Sequence, residues 1–162
     1  MTHHHDEPAL AAVQTRFGRL LITGTADALT RLTWAKNDEV APRAPTPLLR
    51  EAAAQLAAYE AGRLNAFDLP LRLSGTAFQR AVCGAMLAIP FGQTRSYGQI
   101  AAGLGQSAQA VGRACGANPI AIIIPCHRVM GADGRLTGYS GGQGVETKVA
   151  LLRHEGAGGF LL

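Results

Sequence analysis

The pattern of apolar positions changes about halfway along this 162-residue chain. The first half suits short strands. Leu20-Leu21-Ile22 follows a turn at Gly18 within Thr15 to Thr23, which predicts a strand pair, and Leu29 to Trp34 alternates loosely and predicts another strand. The proline-rich stretch from Ala41 to Pro47 predicts a loop. Pro47 suits the first turn of a helix that runs to about Ala61 and stops at Gly62, with Leu48, Ala52, Leu56 and Tyr59 on one face. Phe67, Leu69, Leu71 and Leu73 alternate strictly, the mark of a half-buried strand. Together these predict a small α+β unit over residues 1–73, and nothing in it looks catalytic.

From Ser74 onward the pattern turns helical. Thr76-x-x-Gln79 is a capping box that opens a helix with Phe78, Val82, Met86 and Ile89 on one side, and Pro90 ends it. Ser96-x-x-Gln99 is a second capping box, opening a short helix through Ile100 and Leu104. Gly105-Gln106 makes a tight turn, and Ser107 caps a third helix that ends at Asn118-Pro119. Two short helices joined by such a turn form a helix-turn-helix. Asp133-Gly134, between Arg128-Val129-Met130 and Arg135-Leu136-Thr137, is a hairpin signal. A helix-turn-helix followed by a hairpin is a winged-helix arrangement, expected here over residues 74–162. Gly138 to Gly142 reads as a flexible loop, and a last helix runs from Val145 to Glu155 and ends at Gly156.

Charge separates the two halves further. Residues 1–73 carry eight Lys/Arg and eight Asp/Glu, whereas residues 74–162 carry seven Lys/Arg against three Asp/Glu, so the net +4 lies in the second half. A basic half favours a polyanion such as nucleic acid, although a slightly basic soluble protein reads the same way. Cys83, Cys115 and Cys126 are too few, and odd in number, for a disulfide framework, which favours a reducing, cytoplasmic setting. Met1 to Pro8 has no apolar signal core, and no apolar run approaches the ~20 residues that cross a membrane. His3, His4 and His5 read as part of a disordered terminus rather than a metal site, and no spaced Cys/His cluster suggests structural zinc.

The third helix is unusual for one that would read bases, because it offers only Gln109 and Arg113 as long polar side chains. Ala108, Ala110 and Gly112 are tiny, and Gly112 and Gly116 each cost roughly 1 kcal/mol of helix stability relative to Ala. Small residues let a backbone approach something closely, either another helix or the narrow minor groove of DNA.

The most informative string is Pro125-Cys126-His127-Arg128-Val129, which sets a thiol beside an imidazole straight after the most apolar run, Ile120 to Ile124. A thiol beside a base is a candidate nucleophile, because neighbours set how much of the reactive thiolate exists. This string resembles the active-site motif of the O6-alkylguanine-DNA alkyltransferases, direct-reversal DNA repair proteins. The resemblance runs in register from about Ser74 to Gly156 and more weakly through the first half. It implies a ribonuclease-H-like first domain that acts as a scaffold, and a winged helix-turn-helix second domain that binds DNA and carries the chemistry.

The resemblance also implies roles. Cys126 takes the alkyl group from the O6 of guanine, and from O4-alkylthymine, in a single irreversible event per molecule. His127 is its base through a water, and Glu155 orients that histidine. In an extended segment Cys126 and His127 would point opposite ways, which the bridging water answers. Tyr97 supports extrusion of the nucleotide and protonates the departing guanine, a donation open to a phenol of pKa near 10. Asn118, before the active-site strand, joins the DNA-binding helix to the site. Val129 and Cys126 present backbone carbonyls to the base edge, the loop Tyr139-Ser140-Gly141 closes over it, and Lys148 lies near the pocket. Ser96, Ala108, Gln109, Ala110, Gly112 and Arg113 face the minor groove of double-stranded DNA. Gln109 departs from the family, which usually has an intercalating arginine there, and weaker support for base flipping follows.

No metal or organic cofactor is needed for this chemistry, and the resemblance implies a monomer, with cooperative binding along DNA left open. Three other readings remain. A non-reactive alkyltransferase-like protein would bind the lesion only, with another residue in place of the cysteine. A winged-helix regulator would want long polar side chains on its third helix. A cysteine hydrolase would need an oxyanion site. Cys83 and Cys115 read as core residues.

Overall fold

A computed structural model describes residues 9–36, 45–136 and 139–157. The expectations for Met1 to Pro8, including His3 to His5, for most of the proline-rich loop, and for Thr137 and Gly138 lie outside the described residues. The protein is a mixed α/β molecule whose chain divides into two compact units, residues 1–73 and 74–162. No helix among the described residues is long and apolar enough to cross a membrane.

In the first unit, β1 (Ala9–Thr15), β2 (Gly18–Gly24) and β3 (Leu29–Trp34) form an antiparallel sheet in the order β1-β2-β3. β1 starts several residues earlier than Thr15. Its Ala-rich sequence carries little alternation, and pairing with β2 supplies what its own pattern lacks. Gly18 takes φ 122° at the first turn, where a Cβ would lie 2.8 Å from the Trp34 ring, so a side chain is excluded on both counts. α1 (Pro47–Glu60) is capped by Thr46 and packs on β1 and β2. Its buried face is Leu49, Ala52, Leu56 and Tyr59, so the stripe starts at Leu49 rather than Leu48. Residues 67–73 keep the expected alternation of half-buried and exposed positions. They join the sheet through one parallel bridge, Leu29 to Leu71, rather than a full ladder. Pro70 has no N–H to donate, although its carbonyl accepts from Leu29 at 2.8 Å.

In the second unit, α2 (Ala77–Leu87) and α3 (Tyr97–Leu104) both open with the complete capping boxes their sequences encode, Thr76 with Gln79 and Ser96 with Gln99. Gly105 ends α3 at φ 65°, a left-handed cap that only glycine adopts without strain, and Ser107 caps α4 (Ala108–Gly116). α3 and α4 pack on each other across this turn, and α4 also rests on α2. A short parallel pair joins β4 (Arg95–Ser96) to β5 (Val129–Met130). α5 (Val145–His154) follows and packs against the segment after Pro125.

Two expectations fail here. The apolar run Ile120 to Ile124 is not a strand but a buried tight turn, with Ile124 N–H on Ile120 O at 2.9 Å and Ile123 N–H on Ala121 O at 2.8 Å. Ile122 sits at φ 71°, a costly conformation for a β-branched residue, held between the fully buried Ile120 and Ile124 at the ends of the turn. The hairpin at Asp133-Gly134 is a single 3-10 turn over Ala132–Gly134 instead. Among the described residues one backbone bond, Gly131 N–H to Arg135 O at 2.8 Å, spans it, and Asp133 takes φ 57° inside the turn.

Candidate active site

Asn118 builds the platform. Its Oδ1 accepts from Ile120 N–H at 3.0 Å, and its Nδ2 donates to Ile124 O at 2.8 Å, so one side chain clamps both ends of the tight turn. The same Ile124 carbonyl accepts the N–H of Cys126 at 2.8 Å. Cys126–Arg128 then forms one 3-10 turn, closed by Val129 N–H on Cys126 O. The segment is therefore not extended. With three residues per turn, consecutive side chains leave about 120° apart, so Cys126 and His127 still diverge, for a different reason.

His127 is fully buried, and its Nε2 lies 2.8 Å from Glu155 Oε2. Glu155 is also held by the Arg128 guanidinium, Nε to Oε1 at 2.7 Å and Nη2 to Oε2 at 2.9 Å. A carboxylate in such a fork only accepts, so Nε2 is the protonated nitrogen and Nδ1 keeps its lone pair. Nδ1 is buried and has no hydrogen-bond partner among the described residues. Burial pulls the imidazole pKa down, against the pull of Glu155 and with the charges of Arg128 and Lys148. The histidine is thus a neutral base aimed by its acid.

Burial pushes the Cys126 thiol up, while hydrogen bonding from Asn118, the charge of Lys148 and hydrogen bonding from Tyr139 pull it back. The sequence reading of Cys83 and Cys115 as core holds, since both are buried and free. They are nonetheless neighbours of the nucleophile. Burial, with the charges of Cys126 and Cys83, pushes Cys115 to about 12, so it stays a thiol at neutral pH.

Tyr97 opens α3 directly after the β4–β5 pair, which ties it to the cysteine segment. Lys148 is fully buried and donates to Val129 O at 2.6 Å. Tyr139 is half-buried and Gly141 partly so, while Ser140 is exposed before α5. Ser96 is the cap of α3, and Ala108, Gln109 and Arg113 lie exposed on α4, with Ala110 and Gly112 half-buried. A Cβ on Gly116 would meet nothing within 4 Å and one on Gly112 only Tyr97 at 4.0 Å, so packing within the chain does not require either glycine. The sequence reading missed Arg128. It was visible inside the motif, but its partners, Glu155 and the Ile89 carbonyl at 2.7 Å, are far away along the chain.

A thiol beside a neutral histidine that a buried carboxylate holds in one tautomer, next to a pair of helices joined by a tight turn, matches the equipment of a DNA-handling protein that reacts through cysteine. The family model for the DNA-binding domain of 6-O-methylguanine DNA methyltransferase matches residues 77–157. A methylated-DNA–protein-cysteine methyltransferase of Mycobacterium tuberculosis is 47% identical over 149 residues, covering 88% of this chain and 89% of that protein. One from Methanosarcina acetivorans is 47% identical over 127 residues, covering 77% of this chain and 75% of its own. The crystal structure of the M. tuberculosis O6-methylguanine methyltransferase superposes with TM-score 0.83 at 43% identity, covering 93% of each chain. The same organism's protein in complex with DNA gives TM-score 0.80 at 46% identity, covering 90% of this chain and 91% of that one. The chain belongs to the O6-methylguanine DNA methyltransferase family.

Proposed function

We propose that this protein repairs alkylated DNA by direct reversal, as a methylated-DNA–protein-cysteine methyltransferase whose acceptor is Cys126. The observation that carries the reading is the His127–Glu155–Arg128 relay. It leaves a buried lone pair on Nδ1, which takes the thiol proton through a bridging water because the two side chains diverge. The thiolate attacks the alkyl carbon of O6-alkylguanine or O4-alkylthymine, a C–S bond forms and the C–O bond breaks. The departing base takes a proton from Tyr97. A thioether has no easy leaving group, so each molecule acts once.

The target atom lies inside a duplex, and the nucleotide is extruded for it to reach the thiol. Residues 74–162 act as a helix-turn-helix domain that lays α4 in the minor groove, with Ser96, Ala108, Gln109, Ala110, Gly112 and Arg113 at the DNA. Glycines that the fold does not need support this docking, since they leave room for a backbone from outside. Tyr139, Ser140, Gly141, Lys148 and the Val129 carbonyl surround the base, and Asn118 couples α4 to the site. The first unit is a ribonuclease-H-like scaffold. The protein works as a monomer in the cytoplasm.

The test is the intact mass after incubation with duplex DNA carrying one O6-methylguanine. A gain of one methyl group per molecule, mapping to Cys126, is the expected result. Tight lesion binding with no mass change would instead make this a non-reactive lesion binder, the reading that burial of the Cys126 thiol favours.

A further inference from the structure

A groove of about 470 Å³ lies between the end of α2 and α3. Ala85, Ala88 and Ile89 form one wall, and Ile100, Gly103 and Leu104 of α3 form the other. Arg95 and Gln99 also line it, and their polar heads are engaged already. Arg95 Nη1 donates to Thr94 O at 2.9 Å and to Gln93 Oε1 at 3.3 Å, and Gln99 Oε1 accepts from Ser96 N–H at 2.8 Å. The groove therefore offers an occupant mainly apolar surface. Gly103 is a second sign of an occupant. It stands inside α3, where glycine weakens a helix. A Cβ there would meet nothing within 4 Å among the described residues, so packing between them does not require the glycine.

The last described residues lie beside both walls. Ala157 is buried and packs with Met130 and Leu152. Met130 pairs with Ser96, and Val129 with Arg95, across a strand spacing of about 4.8 Å. On the α2 side, the Arg128 guanidinium joins the Glu155 carboxylate to the Ile89 carbonyl. A Cβ on Gly92, three residues after Ile89, would lie 3.4 Å from Glu155 O. The sequence beyond Ala157 is Gly158-Gly159-Phe160-Leu161-Leu162, two residues of free backbone choice and then three large apolar side chains. At about 3.4 Å per residue, Phe160 reaches about 10 Å past Ala157 and Leu162 about 17 Å. The groove, the exit point and this segment all belong to the second unit.

We propose that the groove between α2 and α3 is the docking site of this chain's own residues 160–162, with the Phe160 ring over Gly103. Apolar side chains on the segment and Ile89, Ile100 and Leu104 in the groove then leave water together. The short tether from Ala157 keeps the segment at high effective concentration, so a small contact area suffices. Docked there, it braces α3, the helix that opens with Tyr97, against the end of α2.

The experiment is a double-mutant cycle on the full chain, read by thermal unfolding, with Phe160→Asp, Gly103→Leu and the two combined. Phe160→Asp should lower Tm by about 4–8 °C, the shift that loss of one modest apolar contact gives a unit of this size. Gly103→Leu puts a side chain of the helix itself where the ring would lie, so in that background Phe160→Asp should cost almost nothing. A Tm unmoved by Phe160→Asp, or effects of the two substitutions that simply add, would overturn the proposal. Contacts measured by NMR decide the matter independently, and do so alone if Gly103→Leu fails to fold. In the unaltered protein, nuclear Overhauser effects should join the Phe160 ring to the methyl groups of Ile100 and Leu104, and their absence overturns the proposal. A sample mixing methyl-labelled with unlabelled chains separates the two possible sources of the segment. Contacts within one chain support the assignment, whereas contacts found between chains alone give the groove to a second copy and overturn it.

Discussion

Arg128 shows most plainly how single residues set this site. Its fork fixes the Glu155 carboxylate, which fixes the ring of His127, and all three are buried. Arg128→Leu leaves a buried carboxylate without its counter-charge, so a loss of about 3–5 kcal/mol is expected in denaturant unfolding. A loss within error of zero would show that the pair is not a structural requirement. Gln109 acts at the opposite extreme, exposed on α4. A glutamine there has no charge and less stacking surface than arginine, so Gln109→Arg should speed methyl transfer from duplex DNA while leaving thermal stability nearly unchanged. An unchanged duplex rate would remove this position from base flipping. Cys126 and His127 stand in one contiguous string, whereas Glu155, 28 positions from His127, was assigned through the resemblance to the family alone. Arg128 was harder to assign because its role depends on a partner 27 positions away.

Among the elements, those governed by neighbours a few residues apart were the most legible. Both capping boxes form as their sequences dictate, and Gly105 turns the chain between α3 and α4. Thr76→Ala and Ser96→Ala should each cost about 1 kcal/mol by thermal or denaturant unfolding. Their effects on repair should differ. Ser96 sets the start of a helix whose first residue is Tyr97, so its loss should slow methyl transfer several-fold more than loss of Thr76. Equal slowing would argue against α3 as the element that positions the phenol. The run Ile120 to Ile124 was illegible for the converse reason. Its β-branched residues favour a strand, yet Asn118 and burial force a turn that puts Ile122 in the left-handed region. At Asp133-Gly134 the chain closes a single 3-10 turn, with Asp133 at φ 57°, in place of the expected hairpin turn.

At the scale of the whole molecule, buried titratable groups confine stability to a pH window. The folded pKa of His127 lies below its ordinary 6.5, so below that pH the unfolded chain takes up a proton the native one refuses, and stability falls. Cys115 is raised from 9.0 to about 12, so above pH 9 the unfolded chain loses a proton the native one keeps, and stability falls again. Lys148, lowered from 10.5, opposes this alkaline arm. Denaturant midpoints measured from pH 5 to 10 should therefore peak between about 6.5 and 9. Cys115→Val should flatten the alkaline side, and an unaltered slope there would exclude this thiol as its source.

By itself the sequence determined what depends on short range or on composition: most helix bounds, the Gly18 and Gly105 turns, the concentration of positive charge in residues 74–162, and the reactive pair Cys126-His127. Caps, turns and a contiguous motif are written within a few residues, so a local reading suffices. The tertiary structure decided the rest. It placed Asn118 across a turn, brought Glu155 to His127 and Lys148 to the Val129 carbonyl from one helix and its cap, and drew Arg128 into the relay. Burial then set the charges of His127 and the thiols. Those properties arise only when distant segments exclude water together, and desolvation of a group cannot be read from the residues beside it in the chain.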